Sequence, residues 1–285
     1  MPRPADYDPC AFCPRLCRHA CPVAVGSGRE AATPTHIMAG VWGWLQDHRP
    51  DAEARALASI CTRCGACTAA CKLERPVDDL LSDARGALSA PAEPPAVPTI
   101  HGDGRRVAVH TDGRAWAADL ARYLGEDVAW LDTPDHLGEG VLDQPQVLEP
   151  LATGLRAQLR DRVLVVASVG ALRACRALGL PHEDLGQLIA APEGRTRVPA
   201  CGRGDDPRAA QPELLACCGA CEPLQSAHPD LAQEVGADQA RRLAGTTGWT
   251  PDARCGDWLR RFGADVADPV RWLQSQPAPS SRRPT

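Results

Sequence analysis

The sequence predicts an α+β protein: an N-terminal helical domain followed by an α/β domain of two diverged βαβ-type repeats. Three observations lead there. The 14 cysteines fall in two groups, eight within residues 10–71 and six within 175–255. Between the groups runs a proline-rich stretch, SAPAEPPAVPTIHGDGR (89–105), with no periodic apolar pattern. Before that stretch apolar residues recur at helical spacing, and after it short β-branched runs alternate with helical ones, as in βαβ units on a mostly parallel sheet. The expected divisions are a domain over 1–88, an extended linker over 89–105, and an α/β domain over 106–275 with repeats at about 106–191 and 196–275. A Pro/Ser/Arg-rich tail over 276–285 is expected to be disordered.

In the first domain, Thr33 is a candidate N-cap with Pro34 at the first helical position, and Ile37, Val41, Trp44 and Leu45 follow at helical spacing. A second helix starts at Asp51 after Pro50, with Ala54, Leu57, Ala58 and Cys61 on one face, and VDDLLSDARGAL (77–88) is a third. After the linker the expected strands are RRVAVH (105–110), DVAWL (127–131), RVLVVAS (162–168), RTRVPAC (195–201) and ADVAD (264–268). The expected helices are AWAADLARYLG, LEPLATGLRAQLRD, GALRACRALG, the short HEDLGQLIA, DLAQEVGADQARRLAG, CGDWLRRFG and PVRWLQS. Trp42, Trp44 and Trp116 read as core, His19 as a surface residue, and His36, in the first turn of its helix, as exposed or packed.

Net charge is −5 and no basic run is longer than a pair such as Arg241-Arg242, so no basic face for nucleic acid is expected. No apolar run approaches the roughly 20 residues of a membrane span, and the first residues lack the apolar core of a signal peptide. The expected location is cytoplasmic, where thiols stay reduced and many cysteines indicate metal or redox centres rather than disulfides. Neither G-x-G-x-x-G nor a P-loop occurs, so no flavin or nicotinamide is expected on this chain.

The first cysteine group carries the strongest signal. Cys61, Cys64, Cys67 and Cys71 stand at C-x2-C-x2-C-x3-C, the spacing of bacterial [4Fe–4S] ferredoxins; Cys10, Cys13, Cys17 and Cys21-Pro22 differ by one inserted residue. Three thiolates on one tight loop cap three irons of a cubane, and the fourth, one turn on, reaches a second cluster. By that pattern Cys10, Cys13 and Cys17 pair with Cys71, and Cys61, Cys64 and Cys67 pair with Cys21. Gly65 is expected to let the backbone pass close to the cluster. Lys72 stands where proline is usual and would bring positive charge near a cluster. Zinc is the competing reading, but zinc sites draw two cysteines from each of two separated knuckles.

With helices filling the gap from Cys21 to Cys61, residues 7–88 resemble the α-helical ferredoxin domain found in succinate dehydrogenase iron–sulfur subunits and in heterodisulfide reductases. The second group resembles the cysteine-rich CCG domain found in heterodisulfide reductases, the glycolate oxidase iron–sulfur subunit and anaerobic glycerol-3-phosphate dehydrogenases. Cys201, Cys217-Cys218-Gly219 and Cys255 match that pattern. Trp258 replaces its last cysteine, and Cys221 is extra and could supply the missing sulfur. Gly219 is expected to leave room beside the paired thiolates. The first repeat keeps only Cys175, read as a buried helix thiol.

The resemblance implies two [4Fe–4S] clusters and a third centre, iron–sulfur or zinc, on Cys201, Cys217, Cys218, Cys221 and Cys255; a decayed scaffold is the alternative for that site. It implies an electron-transfer subunit serving a flavoprotein dehydrogenase or oxidase, or a reductase subunit. The alternative is a heterodisulfide- or quinone-reductase-like enzyme acting at the CCG centre.

Overall fold

In the computed structural model, residues 2–14, 17–89, 96–110, 113–132, 137, 142, 145–189, 191–198, 214–215 and 217–276 are described. The class is α+β. Helices α1 (Pro4–Ala11), α2 (Pro22–Ser27), α3 (Pro34–Leu45), α4 (Asp51–Ser59), α5 (Ala66–Ala70) and α6 (Val77–Leu88) come first. Thr33 caps α3 by accepting the His36 N–H at 3.4 Å. Ile37, Met38 and Val41 on α3 are buried against Ala54 and Ala58 of α4 and Leu81 and Ala84 of α6. At Gly40 a Cβ would meet Leu57 Cδ1 at 2.3 Å, so glycine lets α3 and α4 close together. The sequence pattern does not announce α1, which is short and polar. One fully buried residue anchors it, Tyr7, whose hydroxyl donates to the Leu80 carbonyl at 2.7 Å. Trp42 and Trp44 are not core residues. Both are half-buried, with indole N–H groups donating to Asp8 and Asp51, since a polar edge seeks a partner at the surface.

The chain then forms β1 (Ile100–His101), β2 (Arg106–Val109), α7 (Gly113–Leu124), β3 (Val128–Leu131), α8 (Pro145–Leu159), β4 (Val163–Val166), α9 (Val169–Ala177), β5 (His182–Asp184) and α10 (Leu185–Leu188). These strands make one sheet in the order β1-β3-β2-β4-β5, parallel except for β1. Two expectations are corrected. The linker is not a free spacer after residue 96, because β1 pairs antiparallel with β3, and Gln158 of α8 both receives the Ile100 N–H at 3.1 Å and donates to the Pro98 carbonyl at 2.8 Å. HEDLGQLIA opens as strand β5, with Asp184 then capping α10 through the Gly186 N–H at 2.8 Å. Strands of two or three residues are too short to show a period.

A second sheet is built from β6 (Thr196–Arg197), β7 (Gly248–Trp249) and β8 (Val266–Ala267), all parallel, with α11 (Glu222–Ala227) and α12 (Pro229–Arg242) before β7, α13 (Ala253–Arg260) after it, and α14 (Pro269–Ser275) last. The sequence reading missed β7. The two sheets share a core in which Trp116, Leu120 and Val165 meet Trp249, Val270 and Leu273. Buried Asp252 joins them: one carboxylate oxygen accepts the Cys255 N–H at 2.7 Å, the other the Val169 N–H at 2.5 Å. It therefore caps α13 and α9 together. Asp252→Ala is expected to cost about 2 kcal/mol, by leaving two buried N–H groups unpaired, and Asp252→Asn about half as much. Urea denaturation measures both; a loss as small as that of an ordinary surface substitution would contradict the double cap.

The second half of the chain also completes the first. Leu215, Cys221, Leu224, Leu231, Ala232 and Val235 pack into the same core as Val23, Ile37, Ala58 and Leu81. His228 at the start of α12 donates from Nε2 to the Ala56 carbonyl at 2.6 Å, and Arg29 pairs with Glu234 at 2.6 Å. Helix α12 lies against α2 on one side and against α13, through Gly236 and Trp258, on another. A boundary at residue 88 therefore does not bound the helical core. Residue 201 and the tail from 277 lie outside the described residues, and no helix among the described residues is long and apolar enough to cross a membrane.

Candidate metal centres

Cys10 lies in the last turn of α1, Cys13 just after it, and Cys17 at the start of a 3-10 turn (Arg18–Ala20) that holds exposed His19. Cys71 ends α5. Packing of α1 on α3 and α6 brings these four cysteines around one narrow, almost wholly apolar cavity, closed by Pro34, Thr35, Met38, Leu73 and Val77, with Arg75 at its wall. Burial pushes the Cys10 thiol up to about 11, the charge of Cys71 adds to this, and Arg75 opposes it. Cys17 is raised by burial and then by Cys13, against a hydrogen bond from Thr35.

Cys21, although it closes the first cysteine run, faces away from that cavity. Burial pushes its thiol up to about 12, with Cys64 and Cys61 adding to it. Opposing them are the N–H groups of Ala24 and Val23, which point at the sulfur from the start of α2. Cys67 is held well above the ordinary thiol range by burial and then by Cys61, Cys64 and Cys21. The eight cysteines thus fall into two neighbourhoods, Cys71 lying with Cys10, Cys13 and Cys17, and Cys21 with Cys61, Cys64 and Cys67.

The loop over 61–65 is shaped for sulfur. Arg63 (φ 52°) and Gly65 (φ 76°) both adopt the left-handed conformation, and the Arg63 N–H donates to Cys61 Sγ at 3.4 Å. Gly65 answers to this φ more than to crowding, since a Cβ there would meet only Asp78 Oδ2 at 3.6 Å. Arg85 donates to the Cys61 carbonyl at 2.8 Å, and Arg173 of α9 to the Arg63 carbonyl. Sequence reasoning missed Arg85, yet a signal existed: it lies on the apolar stripe of α6 with Leu81 and Leu88, where a charge needs a buried partner. Lys72 is exposed.

The second constellation is less coherent. Cys217, Cys218, Cys221 and Cys255 are all buried, and the Gly219 N–H donates to Cys217 Sγ at 3.4 Å. Cys218 and Cys255 share an apolar group with Val198, Leu214 and Leu259, while Cys221 belongs to the helical core. Trp258 packs against both groups. The space beside Gly219 is taken by α12: at φ 82° a Cβ would meet the Ala232 carbonyl at 2.8 Å and Val235 Cβ at 3.2 Å. That corrects the expectation that this glycine leaves room beside the thiolates. Cys175 lies fully buried in the core of the first sheet, its thiol pushed up to about 12 by burial.

No family model, curated protein or solved structure matches the chain.

No disulfide joins the described cysteines. Among the described residues, no three His, Cys, Asp or Glu side chains converge closely enough to hold a single metal ion. A cubane asks for something different: each thiolate sits on its own iron, so the four sulfurs stand apart around a common space. Two sets of four soft donors, one around an apolar cavity and the other met by backbone N–H groups and arginines, fit a cluster by their chemistry.

Proposed function

We propose that the chain is an iron–sulfur electron-transfer subunit. Cys10, Cys13, Cys17 and Cys71 would hold one [4Fe–4S] cluster, and Cys21, Cys61, Cys64 and Cys67 a second. The observation that carries this reading is the crossed grouping, in which Cys71 joins the first run and Cys21 the second. Buried thiols that raise one another's pKa resist ionising by themselves, and bound cationic iron would favour their thiolate forms. When bound, the clusters would supply one-electron storage and transfer.

The residues of the chain do the rest. Thr35 and the N–H groups of Arg63, Val23 and Ala24 orient and stabilise the sulfurs, and Arg85 and Arg173 fix the loop that presents Cys61 and Cys64. Pro34, Met38 and Val77 keep water from the first set. The two-electron chemistry belongs to a partner, a flavoprotein dehydrogenase or oxidase or a reductase subunit, and the reducing cytoplasm is the compartment such thiols require. A third centre of iron–sulfur or zinc on Cys201, Cys217, Cys218, Cys221 and Cys255 is a further part of the proposal.

Anaerobic purification with metal and acid-labile sulfide analysis tests it. About eight irons per chain are expected from two four-iron clusters, and about twelve if the third site holds another. Visible absorption should bleach reversibly on reduction. Zinc in place of iron, or absorption that no reductant changes, would overturn the relay.

A further inference from the structure

Arg75 stands apart from the other arginines near the cysteines. It lines the cavity shared by Cys10, Cys13, Cys17 and Cys71. Its Nη2 donates to the Asp6 carbonyl of α1 at 2.6 Å, which fixes the guanidinium in place. Its Nε is buried and, among the described residues, has no hydrogen-bond partner. The carboxylate of Asp6, which feels the charge of Arg75, is already engaged by Arg3 at 3.0 Å. A half-buried cation is thus held at the wall of an apolar cavity, with a donor left over and its neighbouring carboxylate committed elsewhere.

We propose that Arg75 is a positioning residue that raises the reduction potential of the group held by Cys10, Cys13, Cys17 and Cys71, by placing a fixed positive charge and a spare N–H donor beside it. This rests on the cluster reading above. A cubane ligated by four thiolates is a net anion and gains another negative charge on reduction. A nearby cation therefore stabilises the reduced state more than the oxidised one, and hydrogen bonds to cluster sulfur act in the same direction. The half-buried guanidinium is screened less than an exposed ammonium such as that of Lys72.

The test is a redox titration followed by electron paramagnetic resonance, in a Cys21→Ser background that leaves only the cluster of this cavity. Arg75→Met is expected to disfavour reduction about tenfold, equivalent to about 59 mV for one electron. Arg75→Lys should recover most of that loss, and Lys72→Met should change the equilibrium by less than about threefold, in keeping with its exposure. Equal shifts for Arg75→Met and Arg75→Lys, no shift for either, or loss of iron from both would overturn the proposal. If the parent protein binds no cluster, the functional reading itself fails. If it binds two and Arg75→Met leaves the potential unchanged, only the role of Arg75 fails.

Discussion

Cys21→Ser is expected to remove the cluster built on the later cysteine run and to leave the one beside it in sequence intact. Iron should fall from about eight to about four per chain. Cys71→Ser should do the converse, removing the cluster of Cys10, Cys13 and Cys17. Pairs of substitutions sharpen the result through their failure to add. Cys21→Ser with Cys64→Ser breaks one site twice and should still leave about four irons; Cys21→Ser with Cys13→Ser breaks both sites and should leave almost none. Uncrossed sites, each built from one contiguous run, would invert this pattern, with the Cys21/Cys13 pair keeping about four irons. Anaerobic iron analysis separates the two arrangements without any activity assay.

Gly219→Ala is expected to cost much more stability than an ordinary glycine-to-alanine change. Two costs combine. The left-handed backbone at φ 82° disfavours any side chain, by roughly 1–2 kcal/mol. The added Cβ then meets the Ala232 carbonyl at 2.8 Å, and a helix backbone does not yield as a flexible side chain does, adding about 1–3 kcal/mol. Gly28→Ala is the control, for its φ is 67° and a Cβ there meets nothing within 4 Å. The thermal midpoint should drop by about 10 °C for Gly219→Ala and about 3 °C for Gly28→Ala. Equal shifts would mean that α12 does not press on this turn.

A cysteine grouping could be proposed from the sequence because short spacings fix local turns, and which cysteines lie near one another is what the structure adds. The long helices were legible for similar reasons: Thr33-Pro34 and Pro50-Asp51 mark their starts, and apolar periodicity marks their faces. The small strands were not, since Ile100–His101, His182–Asp184 and Gly248–Trp249 are too short for alternation and take their pairing from neighbours. The partner of α12 was not legible either. An amphipathic pattern states that Leu231 and Val235 are covered, not that Val23 and Gly26 of α2 do the covering. Gly219 shows the same limit: its conformational need can be suspected from a turn, but the object beside it belongs to tertiary structure.

The incorporation of α11 and α12 into the N-terminal core bears on the order in which the protein can be made. During synthesis, α2, α3 and α4 emerge long before Leu224, Leu231 and Val235, so their shared apolar face stays open until residues near 243 have left the ribosome. The ends of that closure are far apart in sequence, which slows its formation. Both cysteine runs are therefore complete while the scaffold around them is still unfinished, and iron delivered early would meet ligands held by an open half-core. Final seating of the cysteines proposed as ligands would belong to the end of chain synthesis, when the last helices of the core arrive.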